Sequence, residues 1–296
     1  MKFQEKSFEA INPLIRSAVE SIVTAETFKG VIASDEVEQL MKVSGQSEVD
    51  LALTLVGLAA EYARVPLSDF RVGAIAHGGS GSLYFGANQE FEGTNIGQTI
   101  HAEQCAITNA LNHGEFDITN VSVNVTPCGH CRQFMNELAT AKTLKVNLPH
   151  FRKPLQEILP FSFGPDDLGI TEPLGHQKAK NFVLSSDDDL EMRALKQCNK
   201  SYSPCTKNYA GVAVTTRNGD VHTGYSIENA AFNPTLPALQ GAVVGIRMSG
   251  LDITDIDRAV LVQNKGSVLN QSKAFADFCD VIGCQHSFIE AEPAEE

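Results

Sequence analysis

A layered α/β domain with a mixed sheet, built twice in one chain, is the fold class this sequence predicts. Three observations predict it. The first is the order of apolar patterns over roughly residues 47–150: helix, strand, strand, helix, strand, helix, strand. That order lays helices over a sheet. The second is a repeat. Pro66 and Pro204, Gly86 and Gly224, and Glu90 and Glu228 are each 138 residues apart, and a constant offset at three landmarks marks an internal duplication. The third is bulk. The chain has 296 residues, 43% of them hydrophobic, enough for one large domain or two of ordinary size.

The elements follow in order. Residues 1–46 read as a helical region, because Leu14, Ile15, Ala18, Val19, Ile22 and Val23 recur at helical spacing. "SDEVEQLMKVSG" joins an Asp35/Glu38 capping pattern to an apolar stripe and a closing glycine. The region carries no chemistry. A long apolar helix is predicted from about Val49 to Arg64. "FRVGAIAH" and "SLYFGAN" flank "GGSG", which reads as a β-hairpin with a glycine-rich turn. "HAEQCAITNALNHG" reads as a helix closed by Gly114, and "TNVSVNVT" as a strand of period two. "CGHCRQFMNELAT" is a further helix, with Pro127 where a first-turn proline is tolerated, and "KTLKVNL" is a strand. The mixed segment over 151–187 reads as a connection running across the first domain. The expected division is a helical region 1–46, a first domain 47–167, a linker 168–187 and a second domain 188–296.

Charge narrows the partners. The formal net charge is −13 and no lysine- or arginine-rich run exists, which opposes binding to a nucleic-acid backbone. Small neutral or cationic substrates fit better. No stretch approaches the roughly 20 apolar residues of a membrane helix, and the first residues lack the apolar core of a signal peptide. The expectation is a cytoplasmic protein with no membrane partner. Seven cysteines, an odd number, argue against a disulfide framework.

The chemistry centres on "TPCGHC", Thr126 to Cys131. A lone CxxC fits a redox pair, half of a closed zinc site, or part of an open one. Closed zinc sites take four protein ligands, and catalytic ones take three and leave a position for water. No second CxxC exists: Cys198 and Cys205 are seven apart, Cys279 and Cys284 five. His101 in "TIHAEQC" is the candidate third ligand if it lies at a helix start, with Thr99 as a possible cap. Glu103 follows two residues on. In mid-helix that spacing points to nearly opposite faces, whereas in a first turn both side chains project off the end. A carboxylate beside a metal, but not bound to it, suits proton shuttling. His130 is a rival ligand that its neighbours direct off the metal-facing side. With HxE some 25 residues upstream of the cysteines, the metal reading outweighs the redox one. Taken alone, Phe70 is a core aromatic, Asn88 and Glu90 are a polar pair at a strand end, and Cys105 is a small apolar residue.

"HAE" at 101–103 with "PCGHC" at 127–131 resembles the H-x-E, P-C-x-x-C signature of the zinc-dependent cytidine and deoxycytidylate deaminase family. "SDFRVGAIA" and "GANQEF" resemble its nucleoside-binding strands. "SIENAAFNPTLPALQGA" resembles the second, non-catalytic half of the longer two-domain bacterial members. The resemblance spans nearly the whole chain. It implies a three-layer α/β/α deaminase domain, duplicated as a catalytic and a non-catalytic copy. It implies one Zn2+ per subunit on His101, Cys128 and Cys131, with Glu103 moving protons between water, ring N3 and leaving ammonia. Asn88 and Glu90 would hold the ribose 3′-hydroxyl and Phe70 would stack on the base. The Thr126 carbonyl would accept from the amine, and the Ala102 amide would meet the ring carbonyl. The implied activity is hydrolytic deamination of cytidine and 2′-deoxycytidine in pyrimidine salvage. The implied assembly is a homodimer in which Ala231 and Phe232 cover the other subunit's site. Aligned with "HAEQ", the second copy reads "PALQ", Pro237 to Gln240, so it has lost ligands and shuttle alike. Two competing functions remain. A polynucleotide or tRNA deaminase is opposed by the charge and by Glu90, which would repel a 3′-phosphate. A non-catalytic zinc-stabilised scaffold has no use for Glu103.

Overall fold

The computed structural model describes residues 3–294, which form two compact units. The first takes the chain up to Glu92, Thr99–Ser162 and Met248–Gly250; the second takes Gly93–Gln98, Phe163–Arg247 and the chain from Leu251 on.

The first unit begins with α1 (Arg16–Val23), β1 (Val31–Ile32), α2 (Ser34–Ser44) and α3 (Glu48–Ala60). It continues with β2 (Gly73–Gly78), β3 (Leu83–Ala87), α4 (Ala102–Asn112), β4 (Ile118–Val123), α5 (Gly129–Met135), β5 (Lys145–Leu148), β6 (Phe151–Pro154) and α6 (Leu155–Ile158). Its sheet runs β1-β3-β2-β4-β5-β6. The β4–β5 pair is parallel and the other pairs are antiparallel, as the hairpin patterns and the intervening helix α5 require. The second unit holds β7 (Phe182–Val183), α7 (Asp189–Lys200), β8 (Ala210–Thr216), β9 (Val221–Tyr225), α8 (Ala238–Met248), β10 (Ile256–Asn264), α9 (Ser272–Ile282) and β11 (Gln285–Pro293). Its sheet runs β7-β11-β10-β8-β9, with β10 and β11 parallel.

Each unit packs helices onto its sheet at glycines where a side chain has no room. A Cβ on Gly73 would stand 2.1 Å from the Val56 carbonyl oxygen in α3, and one on Gly86 2.1 Å from the Ala106 amide in α4. The second unit repeats both contacts. Gly211 meets the Cys198 amide of α7 and Gly224 the Ala242 amide of α8, each at 2.1 Å. The backbone bridges repeat as well. Gln89 pairs with Arg64 and Ile100, and Ile227 pairs with Tyr202 and Leu236. The 138-residue offset therefore holds from α3 through Glu90 and shortens to 136 in the following helix. Even the unusual backbone at Asp69 (φ 53°) recurs at Lys207 (φ 55°).

Several boundaries differ from the sequence reading. Residues 1–46 are not helical throughout, because Val31–Ile32 pairs with β3 as an edge strand. The buried row there is Ile11, Ile15, Val19 and Val23, while Leu14 and Ala18 are exposed. Helix α2 starts earlier than the Asp35/Glu38 pattern implied, and Glu36 accepts from the Ala33 amide at 3.0 Å. Helix α3 stops at Ala60, since Arg64 is already bridged to Gln89. Residues 151–154 extend the first sheet as β6. From Phe163 the connection belongs to the second unit rather than crossing the first: Leu174 is buried and β7 pairs with β11.

Candidate metal centre

Two helix starts in the first unit face each other. His101 is the N-cap of α4, with extended backbone, and its amide donates to the Gln104 side-chain oxygen at 3.3 Å. It takes the capping position expected of Thr99. Glu103 is then the second residue of the helix, so the HxE pair projects forward from a first turn. Cys128 is the N-cap of α5, which places Pro127 just before the helix and Cys131 at its third residue. The short strand-to-helix turn after β4 thereby presents both sulfurs to one point.

The Nδ1 of His101 lies 3.5 Å from the Cys128 sulfur and 3.3 Å from the Cys131 sulfur, and the sulfurs are 3.6 Å apart. Zinc bonds of about 2.3 Å to sulfur and 2.0–2.1 Å to nitrogen give tetrahedron edges of about 3.8 and 3.5 Å. The triangle therefore fits zinc, and three protein donors leave one position of a tetrahedron open. Among the described residues this is the cluster suited to a metal, and His130 lies outside it. His130 instead stacks its ring on His101 at 4.8 Å between centroids and 20° between planes. Glu103 is 4% exposed, and its Oε2 accepts from the Cys131 thiol at 3.1 Å.

The charges fit this reading. The Cys131 sulfur, with His101 beside it, holds the Cys128 thiol down at about 3. Cys131 is pushed the other way, chiefly by its contact with Cys128 and by burial. The Cys128 thiolate draws the His101 imidazole up. Burial pushes the Glu103 carboxyl above the usual carboxylate range, as a proton carrier requires.

A pocket of about 320 Å³ opens onto the cluster. The residues singled out from sequence, Phe70, Asn88, Glu90, Ala102 and Thr126, all line it with His101, Glu103 and Cys128. Phe70 is 57% exposed and so is no core aromatic. Its loop is clamped from below. Glu90 accepts from the amides of Leu67 and Ser68, both at 3.0 Å, and from the Ser68 hydroxyl at 2.5 Å. The Asn88 amide donates to the Phe70 carbonyl and its oxygen accepts from the Val72 amide, both at 2.9 Å. Ser68 and Val72 also line the pocket and were not anticipated. Ala231 and Phe232 lie in the second unit on an exposed loop, with Phe232 in the left-handed region at φ 59°. A Glu48–His77–Ser122 chain mimics a hydrolase triad, with contacts of 2.6 and 2.8 Å, but His77 and Ser122 are fully buried and beyond reach of a substrate.

Residues 47–146 and 155–276 match two family models, each described as the cytidine and deoxycytidylate deaminase zinc-binding region. The cytidine deaminase of Serratia proteamaculans is 43% identical over 284 residues, covering 95% of this chain and 96% of that protein. The chain belongs to the cytidine and deoxycytidylate deaminase family. The cytidine deaminase of Vibrio cholerae is 48% identical over 246 residues, 82% of this chain and 83% of that one. The crystal structure of the Mycobacterium tuberculosis cytidine deaminase aligns over 99% of its own length with 40% of this chain, at 27% identity and a TM-score of 0.37. As a member of this zinc-binding family the chain is an enzyme whose cofactor is zinc, and the His101–Cys128–Cys131 triangle suits that ion. The second family match includes Pro237 and Leu239. It therefore reflects the shared frame, because the ligands themselves are gone.

Proposed function

We propose that the chain catalyses hydrolysis of cytidine and 2′-deoxycytidine to the uridine forms and ammonia, as a cytoplasmic homodimer serving pyrimidine salvage. The observation that carries this reading is the buried Glu103 carboxyl beside a three-donor cluster at the foot of a nucleoside-sized pocket. His101, Cys128 and Cys131 would hold zinc, which when bound lowers the pKa of a water to near neutral and so supplies a nucleophile. Glu103 takes a proton from the attacking water and hands it to ring N3. It then passes the second proton to the departing amine, so water is consumed and ammonia released. The Ala102 amide, first in α4, would donate to the ring carbonyl and the Thr126 carbonyl would accept from the amine, since both residues line the pocket. Exposed Phe70 offers its ring to the base. Glu90 retains acceptor capacity for a ribose hydroxyl while holding the Phe70 loop, and its charge disfavours a 3′-phosphate. The net charge of −13 and this carboxylate weigh against a polynucleotide substrate.

The homodimer draws support from the second unit's exposed apolar side chains. Phe163, Leu168 and Phe232 line a hollow of about 490 Å³, and each is more than two-fifths exposed. Such a patch suits association with a second chain. No helix among the described residues is long and apolar enough to cross a membrane.

The test is ultraviolet assay of cytidine turnover beside a Glu103→Gln variant of measured zinc content. Uridine formation by the wild type, and a zinc-loaded variant slowed by at least about 10²-fold, is the expected result. A zinc-loaded wild type that leaves cytidine unchanged would refute the substrate.

A further inference from the structure

The second unit keeps the backbone frame of the first unit's pocket and replaces the counterparts of the three metal donors, Glu103, Phe70 and Asn88. Cys128 and Cys131 are the N-cap and third residue of α5, and the same positions of α9 hold Gln271 and Ala274. His101 and Glu103 stand just before and second in α4, and Pro237 and Leu239 hold those positions at α8. Pro237, Leu239, Gln271 and Ala274 all line one hollow of about 240 Å³. The loop clamp survives: Glu228 accepts from the amides of Cys205 at 2.7 Å and Thr206 at 3.2 Å, as Glu90 does from Leu67 and Ser68.

Gln271 links this frame together. Its Oε1 accepts from the Ala238 amide at 3.2 Å, and its Nε2 donates to the Ser226 hydroxyl at 2.8 Å and the Asn208 side-chain oxygen at 3.4 Å. Ala238 is the counterpart of Ala102, Ser226 of Asn88 and Asn208 of Phe70. A carboxamide offers a carbonyl acceptor and an amino donor side by side, as the polar edge of cytosine does. The side chain thus meets the counterpart of the amide proposed for the ring carbonyl, and with it the counterparts of the residues proposed for the ribose and for stacking. Being tethered, it competes at an effective concentration that a free ligand rarely matches.

We infer that the second unit retains a pyrimidine-nucleoside pocket held shut by Gln271, and that removing this carboxamide opens a second, non-catalytic nucleoside site. This rests on the first pocket being a nucleoside site. The experiment is equilibrium dialysis of cytidine against full-length, zinc-loaded Glu103→Gln protein, with and without Gln271→Ala, and with Gln271→Ser as the alternate opening. One nucleoside per chain without the Gln271 change and two with it is the expected result. An unchanged stoichiometry on opening, or two per chain before it, overturns the inference. Absence of any binding by Glu103→Gln alone would overturn the first-site reading, while the increment of one on opening still tests the second. Amide hydrogen exchange reads the same point without touching Gln271: cytidine slows exchange at Ala102 and leaves Ala238 as it was. Slowing at Ala238 would mean that the pocket is open in the native protein.

Discussion

Cys128 and Cys131 are the same residue three positions apart, yet they hold their protons differently. The sulfur at the helix cap is pulled down and its buried partner, 3.6 Å away, is pushed up. Cys131, pushed up, therefore holds a proton that a metal must displace, and the upward shift of the His101 imidazole acts in the same sense. Zinc uptake by metal-stripped protein is expected to release protons near neutral pH. Because the raised groups hold those protons, apparent zinc affinity rises with pH. Calorimetry in two buffers of different ionisation enthalpy measures the release, and equal heats after buffer correction for zero protons would contradict it. Cys131→Ser is expected to abolish stoichiometric zinc, as read by atomic absorption. These ligands were legible in the sequence because a helix start fixes where residues at short spacing point. Phe70 was only half legible. An isolated phenylalanine reads as core, and what turns it outward is a clamp from Asn88 and Glu90, some twenty residues further on. The stacking of His130 on His101 left no sequence signal, since adjacency to a ligand says nothing about ring orientation.

Among the elements, glycine has two different meanings. Gly57 lies within α3, and a Cβ there meets nothing within 4 Å. Gly57→Ala is expected to stabilise the fold by about 0.5–1 kcal/mol through helix propensity. Gly86→Ala drives a Cβ into the backbone of α4 and is expected to cost at least about 1–3 kcal/mol. Urea unfolding distinguishes the two signs. The start of α7 offers a pH test. Asp188 accepts from the Leu190 amide at 2.8 Å and the Glu191 amide at 3.3 Å, and pairs with Arg258 at 2.7 Å. The Arg258 guanidinium, with those amides, holds its carboxyl below the usual range. A lowered value means stability that is complete above the unfolded aspartate pKa, about 3.9, and lost as pH falls through the folded value. Asp188→Ala is expected to cost about 0.5–2 kcal/mol at neutral pH, a difference that closes in acid. The helices and the central hairpin were legible from periodicity and turn residues. The two-residue strands β1 and β7 and the short β6 were not, because each exists only through a partner elsewhere in the chain. The end of α3 escaped the reading for the same reason: apolar spacing continues, but the backbone turns to meet Gln89.

For the molecule as a whole, the proposed assembly predicts a light-scattering mass of twice the 32.0 kDa chain, with Phe232→Asp shifting the population toward monomer. A purely monomeric wild type would remove the proposed covering role of Ala231 and Phe232. The duplication was legible as an offset of landmarks, and its depth became visible only in the backbone, where glycines, bridges and the positive φ of Asp69 and Lys207 recur together. One such repeated feature is the carboxylate that grips its loop, present at Glu90 beside the three-donor cluster and at Glu228, where Pro237, Gln271 and Ala274 hold the donor positions. The molecule thus contains its own control experiment. Glu228→Gln removes the grip alone, whereas Glu90→Gln removes the grip and whatever that carboxylate does for a substrate. The excess loss of turnover in the second variant over the first, at matched loss of stability, isolates the ribose contact without recourse to any other protein.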